Sequence, residues 1–241
     1  MSENKSTQPK VTLHWLNQSR AQRIVWLLEE LNLDYDIECH IRNSAMLAPE
    51  GSQSLHPLGK FPIVVVGDRV LAESGFIIEY FVDKFGPQLK PSDEDSLLRY
   101  KYFLHYAEGS LMPPMLVGIV VENINKASVP FFIKPLINMI TGGVETRFLK
   151  PNYKTHFDFL EAELSSRPYL AGEEFSGADI MISFQLAAAK RVCGLSKEEY
   201  PKLFEYMERC ESREACKRAY KKTKEMEAAG TKLICIVSSN R

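Results

Sequence analysis

Two stretches of strand-forming residues flank one amphipathic helix near the start of the chain, and that order leaves few folds open. VTLHWL, at Val11–Leu16, is built of β-branched, aromatic and aliphatic residues. YDIECH, at 35–40, alternates apolar and polar with period two, the pattern of a half-exposed strand. Between them Ile24, Leu27, Leu28 and Leu31 recur at i, i+3, i+4 and i+7, which puts all four on one helical face. Ser19 followed by Gln22 reads as a capping box, so the helix is expected to start at Arg20. A strand, a helix and a strand this close together make a βαβ unit, with parallel strands and a right-handed crossover.

The next segment, 44–58, contains Pro49, Gly51 and Pro57 and reads as irregular with one short helix. Ile63–Val66 is then a buried strand, Gly67-Asp68 a tight turn and residues 69–72 an antiparallel mate. Ser74–Phe85 reads as a helix with Phe76, Ile77, Tyr80 and Phe81 on its inner side, closed by Gly86-Pro87. GPQLKPSDED, polar and proline-bearing, marks a boundary. Beyond it the pattern is helical at roughly 94–111, 115–126, 131–148, 153–165, 178–191, 200–210 and 212–228, and no strand is expected until the short apolar ICIV at 234–237. Within this part SGAD, 176–179, is a second capping box, whose role is structural. The expected fold class is therefore α/β plus all-α. A disordered arm covers 1–10, a βαβ–ββα domain 11–86, a linker 87–93, an all-helical domain 94–230 and a tail 231–241.

The 241-residue length and 45% hydrophobic content suit one large domain or two modest ones. Net charge is −1, with acids and bases mixed along the chain, which argues against nucleic acid or an anionic membrane as an electrostatic partner. The five cysteines include no CxxC pair, so neither a disulfide framework nor a metal site is expected, and a reducing compartment is. The polar start MSENKSTQPK has no apolar signal region. The apolar region 111–140 is interrupted by four prolines, Glu122 and Lys126, which leaves it too broken to span a bilayer but able to make a peripheral membrane contact.

SRAQRIVWLLEELNLDYD (19–36), HPLGKFPIVVVGDRVLAESGFIIEYF (56–81) and FSGADIMIS (175–183) resemble, in order and spacing, the soluble glutathione transferases. YAEGSLMPP (106–114) is most like the fungal members, in particular the budding-yeast type associated with the endoplasmic reticulum. The resemblance implies a thioredoxin-like N-terminal domain that binds glutathione and an all-helical C-terminal domain. It implies that Pro62 is cis and that Phe61 offers its main-chain N–H and C=O to the cysteinyl backbone of glutathione. It also assigns Glu73 and Ser74 to the γ-glutamyl end. The chemistry agrees, because a helix N-terminus with a serine suits a carboxylate and a neighbouring acid suits an ammonium. Lys60 and His56 lie on the loop where the family contacts the glycyl carboxylate and the peptide.

A thiol of ordinary pKa, near 8.5, is only about 3% thiolate at pH 7, so the protein must favour the anion. Classes of this family use a Tyr, a Ser or a Cys between the first strand and the first helix. Here NQS supplies no Tyr and no Cys. Ser19 is the catalytic candidate, at the positive end of the first helix, with Asn17 and Gln18 as alternatives. His105 and Ser110 are further alternatives in the helical domain, and His105 and Tyr106 are candidates for the second-substrate wall.

The resemblance implies an enzyme that activates the glutathione thiol and adds it to small hydrophobic electrophiles, in the manner of xenobiotic detoxification, with peroxide reduction as a second activity. Glutathione is a co-substrate, and no bound cofactor and no metal are expected. The family implies a homodimer in the cytoplasm or at the endoplasmic reticulum. The alternative is a non-catalytic glutathione-fold protein that binds glutathione or a protein partner. The identity of the electrophile is not written in the sequence, because pocket walls come from side chains scattered over several helices.

Overall fold

A computed structural model describes residues 9–238. The chain divides into two compact units, one formed by residues up to Lys90 together with Glu211 onward, the other by Pro91–Cys210.

In the first unit, β1 (Val11–Leu16), α1 (Ala21–Glu30) and β2 (Asp36–His40) form the expected βαβ unit, with β1 and β2 parallel. β3 (Ile63–Val66) pairs antiparallel with β1, and β4 (Arg69–Ala72) antiparallel with β3, giving the sheet order β2-β1-β3-β4. Register separates the two faces of the sheet. Leu13, Val64 and Leu71 stand side by side across β1, β3 and β4, all buried. Leu16, Ile63 and Phe61 cluster on the opposite face, where Ala48 and Leu55 of the irregular segment pack against them. A single short 3-10 turn, Ser52–Ser54, interrupts that segment, as expected.

The four predicted core residues of α1 are all buried, and so are Ala21, Arg23, Val25 and Trp26. The extra burial has a cause in the far end of the chain. α9 (Glu214–Ser238) belongs to this unit and packs along α1. Arg213 holds Glu30 through two hydrogen bonds of 2.7 and 2.9 Å, and Arg218 and Lys222 both reach Glu29, at 2.9 and 2.8 Å. Two expectations are corrected here. The helical residues 94–230 do not form one domain, because the last helix docks on the sheet unit; and ICIV is not a strand but the last turns of α9. A short apolar run at a chain end carries no register of its own, and a preceding helix can extend through it.

α2 (Ser74–Phe85) has the expected bounds, but its buried face is Ile77, Ile78, Phe81 and Val82, while Phe76 is 51% exposed. The helix carries two apolar stripes offset by one residue, and periodicity alone cannot choose between them.

In the second unit, α3 (Glu94–Tyr106) runs through a π turn, Ala107–Leu111, into α4 (Met112–Lys126). The wider turn falls where Pro113 and Pro114 lack the N–H groups an α-helical ladder needs. α5 (Lys134–Val144) likewise passes through Glu145–Leu149 into α6 (Lys150–Ser165). α7 (Gly177–Val192) and α8 (Pro201–Glu211) follow. The SGAD capping box forms as expected and extends further. Asp179, 1% exposed, accepts from the Ser176 N–H and hydroxyl, from the Leu170 N–H at 3.1 Å and from the Tyr206 hydroxyl at 2.8 Å. Burial pushes the Asp179 carboxyl up in pKa, while these four donors favour its ionised form. The arrangement ties the start of α7 to α8 and to the preceding loop.

Candidate functional site

The turn between β1 and α1 is built by two side chains that fold back on the backbone. Ser19, buried, donates its hydroxyl proton to the Leu16 carbonyl at 2.7 Å and accepts from the Ala21 N–H at 3.1 Å. The capping box expected of Ser19 and Gln22 does not form. The residue before α1 is Arg20, already in helical conformation, and Gln22 Nε2 is buried without a hydrogen-bond partner among the described residues. Asn17 is also buried and engaged, its side-chain carbonyl accepting the Arg42 N–H at 2.8 Å and its backbone carbonyl accepting Arg42 Nε at 3.1 Å. Gln18 is exposed and left-handed, with φ 51°, and its carbonyl accepts from Arg42 as well.

Arg42 is the residue that sequence reasoning missed. It ties the β1–α1 turn to the segment after β2, with a further bond to the Met46 carbonyl at 2.8 Å. Burial, and then the neighbouring Arg20 charge, lower its pKa. Two guanidinium groups are thus close enough to feel each other beside the amino end of α1, which carries partial positive charge of its own. Only the position of Arg42 two residues past a strand could have signalled this.

The other half of the site lies along β3 and α2. The Phe61–Pro62 peptide bond is cis. The β1–β3 ladder ends at the His14–Ile63 pair, so Phe61 stands just outside it, with its ring buried against Leu16 and Ile63. Lys60 is exposed. His56 is half-buried in a turn whose Gly59 N–H returns to the His56 carbonyl at 2.8 Å, while the His56 ring accepts from the Leu58 N–H. Gly59 sits at φ 56°, a conformation that favours glycine.

After β4 the chain enters α2 through Glu73, whose φ of 72° is unusual for a residue with a side chain. Strain of that kind marks positions held for a purpose. Glu73 makes no side-chain cap, and its carboxylate is exposed. Ser74 is the first residue of the helix, not its cap, and is 4% exposed. The first N–H groups of α2 therefore lack a side-chain cap from the preceding residue, with a serine hydroxyl and a carboxylate beside them.

In the second unit, His105 and Ser110 are exposed, whereas Tyr106 is buried with its hydroxyl 2.8 Å from His156 Nδ1. Burial raises the Tyr106 pKa and lowers that of His156, so both stay neutral near pH 7. Tyr102 stacks on Tyr106 at 5.8 Å between ring centroids. Sequence reasoning did not single out His156. Among the described cysteines, burial first of all pushes the Cys193 thiol up to about 11 and the Cys216 thiol up to about 12, which leaves both protonated.

A mixed four-stranded sheet with a cis-proline at the head of β3, flanked by α1 and α2 and followed by helices, is a thioredoxin-like architecture. Residues 19–84 match the family model "Glutathione S-transferase, N-terminal domain" and residues 146–209 match "Glutathione S-transferase, C-terminal domain". Glutathione S-transferase 1 of Saccharomyces cerevisiae is 35% identical over 86% of this chain and 92% of its own. Glutathione S-transferase 3 of Schizosaccharomyces pombe is 35% identical over 89% of this chain and 88% of its own. Among solved structures, a glutathione S-transferase of Actinobacillus pleuropneumoniae superposes with a TM-score of 0.69 at 31% identity, covering 89% of this chain and 93% of that one. A glutathione transferase of Phanerochaete chrysosporium, solved with oxidized glutathione, shares the fold at a TM-score of 0.72 and 18% identity, over 92% of this chain and 99% of that one. The chain belongs to the glutathione S-transferase family, with fungal-type members among its relatives, and it is a glutathione transferase with glutathione as co-substrate.

Proposed function

We propose that the chain binds glutathione along Phe61, Glu73 and Ser74, ionises its thiol and adds the thiolate to small hydrophobic electrophiles. The observation that carries this reading is Glu73, an exposed carboxylate on a left-handed residue at an α2 start that lacks a side-chain cap. The Ser74 N–H and hydroxyl suit the γ-glutamyl carboxylate, and Glu73 suits the ammonium. Phe61, outside the strand ladder, suits the cysteinyl backbone, and Lys60 and His56 the glycyl end.

For the sulfur, the amino end of α1 with Arg20 and Arg42 supplies positive potential that requires no rearrangement. Ser19 is the side-chain donor in reach of the same turn, but its only proton lies on the Leu16 carbonyl and must swing away to serve sulfur. We therefore place most of the thiolate stabilisation in backbone and arginine charge, with Ser19 chiefly building the turn. The same thiolate suits peroxide reduction. His105 and Tyr106 remain our candidates for the wall facing the electrophile.

A cytoplasmic homodimer is carried over from the family. In the second unit, Phe131 is 87% exposed and Phe132 69%, and Leu136, Met139 and Ile140 are exposed as well. This apolar face supports a peripheral contact with the endoplasmic reticulum. Among the described residues no helix is long and apolar enough to cross a membrane. The function is tested by retention on immobilised glutathione together with conjugation of a nitroaromatic chloride. Turnover supports the transferase reading. Retention without turnover over several electrophile classes favours the non-catalytic alternative.

A further inference from the structure

One cluster of chemically active side chains lies apart from the proposed glutathione-binding residues. On the sheet face opposite α1, register pairs His14 of β1 with Glu38 of β2 and Leu16 with His40. Alternation along β2 then puts Glu38 and His40 on one side, facing His14 across the strands, and turns Cys39 to the other side. His14 Nδ1 lies 3.2 Å from His40 Nε2 and 3.2 Å from a Glu38 carboxylate oxygen. His14 is 5% exposed, His40 half-buried and Glu38 exposed.

A single ring nitrogen cannot serve both neighbours well. If Nδ1 carries a proton, that proton is shared between the carboxylate and the His40 ring. If it does not, its lone pair confronts the carboxylate at 3.2 Å. A cation among the three satisfies all of these lone pairs together. The spacing also suits one: four donors about 2.0 Å from a tetrahedral ion stand about 3.3 Å from one another. Two of the three separations are at that value, and all three ligand atoms lie within 4.8 Å of one another, so closing the remaining edge needs only a side-chain rotation of Glu38 or His40. Two imidazoles and a carboxylate are a donor set for zinc and its neighbours, and not for calcium or magnesium, which take oxygen ligands.

We propose that His14, Glu38 and His40 form a binding site for a divalent transition-metal ion of the zinc class, at the edge of the sheet. The ion bridges β1 to β2, and the exposed side of Glu38 leaves its fourth position open to water. The site extends toward the glutathione-binding face through the His40 ring, which packs against Phe61 at 5.0 Å between centroids. The proposal does not depend on the transferase reading, and it departs from the expectation of no metal. That expectation rested on sequence spacing, which cannot show ligands brought together by strand register.

The test is titration of the untagged, chelator-treated full-length protein with cobalt(II), read by visible ligand-field absorption, and with zinc in competition with a chromophoric chelator. Glutathione is left out, because its thiol binds both metals. The expected result is saturable uptake of one ion per chain with tetrahedral-type bands, unchanged in Cys39→Ser. Glu38→Gln and His40→Asn should each weaken binding by about tenfold or more. His14 is buried, so the two edge variants carry the test, with circular dichroism confirming that they fold. No saturable uptake by the wild type overturns the proposal, as does uptake that both variants leave unchanged.

Discussion

Ser19 Oγ donates its single proton to the Leu16 carbonyl, at 2.7 Å, while accepting the Ala21 N–H on Oγ itself, at 3.1 Å. A hydroxyl held from both sides is first of all part of a turn. Ser19→Ala is therefore expected to cost about 1 kcal/mol of stability. It should raise the pKa of bound glutathione by less than about half a unit. Arg20→Gln should raise that pKa at least as much. Thermal melts and pH titration of the bound thiol check both variants. A rise of about two units in Ser19→Ala, the size of a full donor, would instead make Ser19 the activating residue.

Glu73 caps nothing in its own helix, so neutralising it should leave the fold alone. Glu73→Gln is expected to weaken glutathione about tenfold, which corresponds to about 1.4 kcal/mol, through loss of the ammonium partner. Calorimetry gives the affinity and circular dichroism the control. Unchanged affinity removes Glu73 from the site.

The docking of α9 on α1 should depend on pH through Glu29. Burial, the largest single influence, acts to raise its pKa, but hydrogen bonds from Lys222, Tyr35 and Arg218 outweigh it and bring the value to about 2, from an ordinary 4.5. A pKa lowered by folding contributes stability that is present above the unfolded value and is lost as pH falls through the folded one. Wild type should therefore exceed Glu29→Gln in stability at pH 6 by about 2 kcal/mol. The gap should close progressively from about pH 4.5 to about pH 2, as denaturant melts along that range will show.

In the second unit, Asp179→Asn replaces an acceptor of four hydrogen bonds with an amide whose NH2 faces a backbone N–H, donor against donor, in either orientation. The expected cost is about 2 to 3 kcal/mol, against about 1 kcal/mol for Tyr206→Phe, which removes one donor. Equal effects of the two variants in denaturant unfolding would contradict the picture of Asp179 as a shared anchor.

Much of this molecule was legible in the sequence where a local rule operates. The bounds of β1, β3 and α2, the parallel pairing of β1 with β2, and the SGAD capping box all follow from period, turn chemistry and short-range hydrogen bonding. What failed to show was set by distant parts of the chain. Trp26 looks like the outer side of α1, yet it is buried, on a helix along which α9 packs. Phe76 and Ile78 exchanged places in the expected core, because either of two adjacent stripes on α2 fits a helical period. In the proposed glutathione site, Phe61, Pro62, Glu73 and Ser74 sit in a contiguous stretch with a recognisable order. Arg42 joins the β1–α1 turn through hydrogen bonds to Asn17, and His14 meets Glu38 and His40 through strand register; both link residues far apart in sequence.

This protein is expected to hold the glutathione thiol as a thiolate. The most direct measurement is the thiolate absorbance of glutathione bound to the wild-type protein, followed through a pH titration against free glutathione. A bound-thiol pKa about two units below the free value is the predicted result. A bound thiol that titrates with free glutathione would contradict it.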